Sequence, residues 1–311
     1  MEPDGAGDGW VRPAGKRRRR RRKKGAREGS PELGSVELQR RRLQEARSEL
    51  QSSEFWDSSL GTILNSLRKH LLAGRTDPEP TVEKALGALE NLCLTAPAET
   101  VLEPTTQPPQ KPNGGVGGLE CVCYGVGNFS SCVKARYQLA FLLLLLQHLE
   151  IPENRCFVFD PVFATLEIEV LRDLGLTVLL ENEEGKRPVR DPTVFYMIHC
   201  GKALYNNLLW SNWSAEALSK TAIIGNSFKG IEERVLTKIF QQDYCYIAKV
   251  LTATHEDAFP SHRQYLDVFN DTSVHCFPLH KLRDLPREVW EFHEEPVYRD
   301  EDQVEIVRKK Q

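Results

Sequence analysis

The sequence lacks the features that would place a chain in a membrane, a secretory route or a familiar enzyme class. Its longest apolar run, Leu139–Leu146, is eight residues, far below the roughly 18 needed for a membrane span. The start is polar and then basic, with no apolar segment of secretory type. Eight cysteines scattered through 311 residues do not make a disulfide framework and read as buried thiols of a reducing compartment. There is no Cys-x-x-Cys pair, P-loop, His-Glu-x-x-His or Gly-x-Ser-x-Gly elbow, so the common redox, nucleotide, zinc-protease and hydrolase signatures are missing. Cys121-Val-Cys123 reads as buried strand rather than as a metal pair, and no metal is expected. The expectation is a soluble cytoplasmic protein with no membrane contact.

The charge is uneven. The net value is −3, but residues 1–30 carry +7 and the remainder −10. A net acidic body is a poor nucleic-acid binder by long-range electrostatics. Any polyanion contact falls to the arm Lys16–Lys24. That arm reads as an importin-type nuclear signal, which would add the nucleus as a location, as a weak RNA patch, or as a solvated tail with neither role.

Composition divides the chain. Residues 1–32 are Gly/Arg/Pro-rich and too poor in apolar side chains to offset ordering entropy. Residues 33–95 read as a helical region, with one helix from about Val36, one from about Ser53 to Ala73 and one from about Thr81 to Leu94. Residues 96–118 have linker composition, with five prolines and the run Gly114-Gly-Val-Gly-Gly118. Residues 119–290 read as an α/β domain, and 291–311 as a charged tail.

Within the domain, strands are expected at Glu120–Tyr124, Cys156–Phe159, Thr177–Glu181, Thr193–His199, Thr221–Gly225 and Ser273–Pro278. Most are continuously apolar, as in parallel strands buried on both faces. Helices are expected near Ser131–Leu149, Thr165–Leu174, Lys202–Trp213 and Ile231–Leu251. Their alternation predicts a Rossmann-like three-layer α/β fold with a mostly parallel sheet.

In such sheets ligands bind beyond the carboxyl ends of the strands, so the polar residues there are the candidate site. After the first strand come Gly125, Gly127, Asn128 and Ser131. Two glycines permit a sharp turn and close approach of a ligand, and a serine caps the next helix. The run resembles the opening of a dinucleotide fingerprint, but Ser130 stands where the third glycine belongs. A tight structural turn would also need these glycines. Asp160 ends the second strand, where an acidic residue accepts a ribose hydroxyl or starts an Asp-Pro turn. Glu181 and Asn182 follow the third strand, with Glu183–Arg187 read as a solvated turn. His199 ends the fourth strand beside Cys200. Neighbours on a strand point to opposite faces, so they are not a nucleophile–base pair. Asn206, in the first turns of the next helix, and Asn226 and Ser227, after the fifth strand, complete the set as ligand groups or caps. No catalytic role and no cofactor follow from these residues, and no protein partner is named beyond an import receptor at the basic arm.

Several motifs in order resemble the sensitivity-to-red-light-reduced (SRR) family. They are Cys123-Tyr-Gly-Val-Gly-Asn-Phe-Ser-Ser-Cys132, Ala135–Ala140, Asp160–Phe163, Leu174–Leu176, Glu181–Lys186, His199-Cys-Gly201, Tyr205–Trp210 and Asn226–Phe228. The resemblance spans roughly residues 119–290. It implies a regulatory protein acting on circadian clock output and, in animals, on heme biosynthesis, with no established reaction and so no catalytic residues to carry over. No Cys-Pro heme-regulatory dipeptide occurs, so regulating heme synthesis need not mean binding heme. Two other readings stand beside it: an uncharacterised enzyme or nucleotide-binding sensor of Rossmann type, and a scaffold binding partners through the N-terminal helices.

Overall fold

The computed structural model describes residues 33–72 and 118–298. The basic arm, the helix read at Thr81–Leu94, the linker up to residue 117 and the end of the charged tail lie outside the described residues.

The chain is α/β. The described residues form seven strands: β1 Glu120–Tyr124, β2 Cys156–Phe159, β3 Thr177–Val178, β4 Thr193–Met197, β5 Thr221–Asn226, β6 His255–Ala258 and β7 Thr272–Cys276. They form one sheet in the order β3-β2-β1-β4-β5-β7-β6. The pairs from β3 to β5 are parallel, while β7 is antiparallel to both β5 and β6. Strand β6 was not anticipated, because His-Glu-Asp-Ala has no apolar pattern. β3 stops at Val178 and β4 at Met197, each short of the expected end.

The helices are α1 Leu33–Gln51, α2 Glu54–Ser66 (continued by a π-turn, Leu67–Leu71), α3 Val133–His148, α4 Thr165–Asp173, α5 Lys202–Ser211 and α6 Ala215–Ser219. After them come α7 Phe228–Arg234, α8 Thr237–Asp243, α9 Cys245–Val250, α10 Leu266–Phe269, α11 Leu279–Arg283 and α12 Arg287–Glu291. The single helix expected over Ile231–Leu251 is broken. Val235 and Leu236 take extended backbone, and Tyr244 leaves the helical region again, while an apolar stripe at helical spacing carries through all three pieces.

Side chains alternate between the faces of the sheet with the two-residue period of a strand. Cys121, Cys123, Val194, Tyr196, Ala222 and Ile224 join one apolar cluster, and Val122, Tyr124, Phe195, Met197 and Ile223 join the other. On the first face lies α3, whose residues Leu139 to Leu146 are all buried, as befits a helix that is apolar all round. It is enclosed because α1 packs on its outer side with Leu43, Ala46 and Leu50. Ser53 then turns the chain into α2: its hydroxyl accepts from Trp56 N at 3.2 Å and donates to Leu50 O at 2.6 Å. That cap sets Trp56 edge-on to Phe141 at 5.0 Å and Phe55 against Phe269 at 5.1 Å. Leu43, Leu50, Phe55, Trp56 and Ile63 of the N-terminal helices therefore belong to the same apolar cluster as the first face of the sheet.

Candidate functional site

β1 lies beside β4, and the chain leaves β1 toward β2 on one side but leaves β4 toward β5 on the other, so a crevice opens beyond the ends of β1 and β4. This is the topological switch point at which open α/β sheets bind ligands. The chain after Tyr124 passes through Gly125 (φ +74°) and Gly127 (φ +79°), left-handed conformations that only glycine adopts without cost. At Gly125 a Cβ would stand 2.6 Å from Cys200 Sγ, so the two strand ends meet only because no side chain is there.

The glycine loop is closed from within. Gly125 N donates to Phe159 O at 3.2 Å. Gly127 N donates to Asp160 Oδ2 at 2.7 Å, and Val162 N to Asp160 Oδ1 at 2.9 Å. Burial pushes the Asp160 carboxyl above its ordinary value, and the two amides oppose that rise. Asn128 Oδ1 accepts from Ser131 N at 3.0 Å and from the hydroxyls of Ser131 and Ser130. Asn128 and Ser131 thus build the turn before α3. Glu167, fully buried, anchors that turn to α4 by accepting from Ser130 N and Ser130 Oγ, and from Ala164 N.

At the end of β4 the chain makes a turn centred on His199, a left-handed residue with φ +57°, rather than continuing as strand. Asn226 holds this turn from β5: its Oδ1 accepts from His199 N at 2.9 Å and its Nδ2 donates to Cys200 O at 3.1 Å. His199 Nε2 lies 3.0 Å from Val268 O, which in a neutral ring places the proton on Nε2 and the lone pair on Nδ1. Cys200 is buried, with Sγ donating to Tyr124 O at 3.3 Å. Backbone strain of this kind collects at functional sites.

Between these strand ends lies a cavity of about 190 Å³, lined by Tyr124, Gly125, Asp160, Asn182, His199 and Cys200, with Gly185 and Leu204 closing it. The segment Glu183–Arg187, read as a solvated turn, is instead a built wall. Tyr124 Oη donates to Glu183 Oε2 at 2.5 Å, Glu183 pairs with Arg187 at 2.8 Å, and Asn207 Nδ2 donates to Glu184 O at 2.8 Å. Burial, helped by Glu183, raises the Tyr124 phenol far above its usual value, so it stays a neutral donor.

Four expected site residues thus meet: Gly125, Asp160, Asn182 and His199. Gly127 reaches them through its bond to Asp160. The others are placed elsewhere. Glu181 is exposed because β3 ends three residues before it. Asn206 is not in the cleft: it is fully buried, its Oδ1 accepting from Tyr246 N at 3.0 Å and Ile247 N at 3.3 Å and its Nδ2 donating to Tyr298 Oη at 3.0 Å. It ties α9 and the C-terminal segment to α5. Asn226 borders a separate hollow on the far side of the His199 turn. Ser227 caps α7 and faces another cavity. Tyr124, Cys200 and Gly185 were not on the expected list, although each adjoins a residue that was or lies in the same loop. Among the described residues no group of three or more His, Cys, Asp or Glu side chains is arranged to hold a metal ion, and no helix is long and apolar enough to cross a membrane.

A family model described as the SRR1 domain matches residues 111–276, a span that takes in every strand from β1 to β7. The chain belongs to the SRR1 family. An SRR1-like protein of Mus musculus is 49% identical over 247 residues, covering 78% of this chain and 93% of that protein. Protein SENSITIVITY TO RED LIGHT REDUCED 1 of Arabidopsis thaliana is 36% identical over 172 residues, 54% of this chain and 62% of that one. An SRR1-like protein of Drosophila melanogaster is 35% identical over 207 residues, 66% of this chain and 72% of that one. No solved structure matches. The SRR1 domain as matched contains the whole switch-point cavity but not α1 and α2, which complete its core.

Proposed function

We propose that this protein is a regulatory member of the SRR1 family that acts in the cytoplasm and nucleus on circadian clock gene expression and heme biosynthesis, and that it does so by sensing a small ligand in the switch-point cavity. The observation that carries the ligand reading is the convergence of Asp160, Asn182 and His199 on one cavity beside a left-handed turn. At about 190 Å³ it is below the ~300–1,000 Å³ of sites for drug-sized ligands, which favours a compact molecule.

The same geometry weighs against the dinucleotide reading. In a phosphate-binding glycine loop the backbone N–H groups face the ligand. Here the amides of Gly125 and Gly127 are taken by Phe159 O and by Asp160, so a carboxylate of the protein occupies the anion's place. A neutral ligand that donates to His199 Nδ1 suits the cavity better than a pyrophosphate.

The test pairs native mass spectrometry of protein drawn from cells with a clock-gene reporter. His199→Asn keeps a residue type that tolerates the left-handed backbone while removing the imidazole. It should abolish both a bound small-molecule mass and reporter regulation with the melting temperature nearly unchanged. Full regulation by His199→Asn and Asn182→Ala alike would overturn the reading.

A further inference from the structure

A second cavity, about 380 Å³, opens on the same end of the sheet beyond β5. Its apolar wall is Phe259, Tyr265 and Phe269, backed by Phe55 of α2. Its polar end is Glu256 with Ser227 and Lys229, and Thr272 lies at the base of β7.

The Glu256 side chain is 5% exposed. It accepts from Ser227 Oγ at 2.5 Å and from Lys229 N at 3.3 Å, and among the described residues no lysine or arginine is paired with it. The basic ring within reach, His275, has Nε2 3.7 Å away. That nitrogen accepts from Phe228 N at 3.3 Å while Nδ1 lies 3.1 Å from Ile223 O, so both ring positions are used by the neutral form. Burial also lowers the His275 pKa. Arg234, the next guanidinium, is committed to Asp271 at 2.5 Å. A carboxylate this buried is costly without a positive partner.

A second observation points to a ligand independently. Thr272 is 3% exposed and lines the cavity, and its hydroxyl has no hydrogen-bond partner. The same holds for Nδ1 of His262 on the rim. Tyr265 Oη is a third such atom. Buried polar atoms are nearly always satisfied, and three unsatisfied ones around one hollow mark where a bound molecule would supply partners.

We propose that this cavity binds a small organic amine with an apolar or aromatic body, the ammonium group on Glu256 and the body against Phe259 and Phe269, with a polar substituent toward Thr272. The volume lies within the ~300–1,000 Å³ range of small-molecule sites. An anion of the same shape is rejected, because its charge would meet the Glu256 carboxylate.

The experiment is calorimetric titration of the full chain with 2-phenylethylamine and with 3-phenylpropionate. The amine should bind at least about tenfold more tightly than the carboxylate, a difference of about 1.4 kcal/mol. Glu256→Gln should weaken the amine by about tenfold or more. Since that change could disturb β6, Ser261→Trp at the exposed rim provides a second arm and should block the amine without touching Glu256. His199→Asn should leave amine binding intact, which separates this cavity from the switch-point one. Equal affinity for the two probes, no binding of the amine at millimolar concentration, or binding that survives both Glu256→Gln and Ser261→Trp would overturn the proposal.

Discussion

The five parallel strands and the antiparallel pair β7–β6 belong to one sheet but are held by different physics. Strand β4 places Val194, Phe195, Tyr196 and Met197 in the core on both faces, and burial of this kind contributes about 1.5–3 kcal/mol per large apolar side chain. Strand β6 offers His255, Glu256 and Asp257 instead, and each is fastened by a polar partner. Asp257 accepts from Ser66 Oγ at 2.5 Å and sits 3.0 Å from His255 Nε2, while Glu256 accepts from Ser227. Charged side chains on an edge strand, with α2 laid over it, prevent pairing with another chain. The centre is secured by apolar area, and the edge by specific hydrogen bonds and a covering helix.

Removing residues 1–72 is the largest perturbation of that arrangement. It strips α1 from α3 and α2 from β6 together, and calorimetry should find loss of the cooperative transition or aggregation. Removing only residues 1–32 should leave the melting temperature within error. If the shorter chain without residues 1–72 melts like the full one, the edge stands without its cover and the contrast fails.

Asn206→Ala probes the other region at intermediate size. It leaves the amides of Tyr246 and Ile247 without their buried acceptor, and urea denaturation should show a loss of roughly 1–3 kcal/mol. An unchanged midpoint would mean that α9 is held by its apolar contacts alone, which would make the parallel half more uniform than described.

The smallest expected effect is a pH dependence at the edge. His70 packs against His255 with ring centroids 4.2 Å apart and planes tilted by 48°. Burial, then the charge of His255, lowers its pKa from 6.5 to about 4. The unfolded chain therefore takes up a proton that the folded chain refuses between those values. Stability present above about pH 6.5 should decline as pH falls toward about 4. Because the ring is only partly buried and solvent screens its charge, the loss is of order 1 kcal/mol. Comparing urea midpoints of the native chain and His70→Gln across that range checks the sign: a slope unaffected by the substitution would assign the dependence to other groups.

The same contrast explains what could be read from the residues. Continuous apolar runs such as Cys121–Tyr124 and Val194–Met197 mark parallel strands, and the strand-end rule then brings Gly125, Asp160, Asn182 and His199 to one place. β6 escaped because a polar edge strand carries no hydrophobic period. Asn206 was misplaced because position in a helix does not state which way the helix is rotated about its axis, and here that side chain faces α9. His199 and Cys200 were read as strand, whereas one left-handed residue turns the chain there. Gly185 is explained by its left-handed backbone, φ +77°, and by Leu204 O of α5, 2.6 Å from where its Cβ would be, a contact that the sequence around Gly185 does not reveal.

The routing of α1 and α2 also sets an order of events at the ribosome. Arg40 of α1 finds Asp173 in a segment made 133 residues later, and Ser66 finds Asp257, 191 residues after itself. At roughly 5–20 residues per second, α2 waits on the order of 10–40 s for its strand. Phe55 and Trp56 can meet Phe141 of α3 earlier, but through that interval Phe55 lacks Phe259 and Phe269, its later aromatic partners. Among the described helices, α2 is thus one of the first to be made and one of the last to be fully seated, once β6 and β7 have left the exit tunnel.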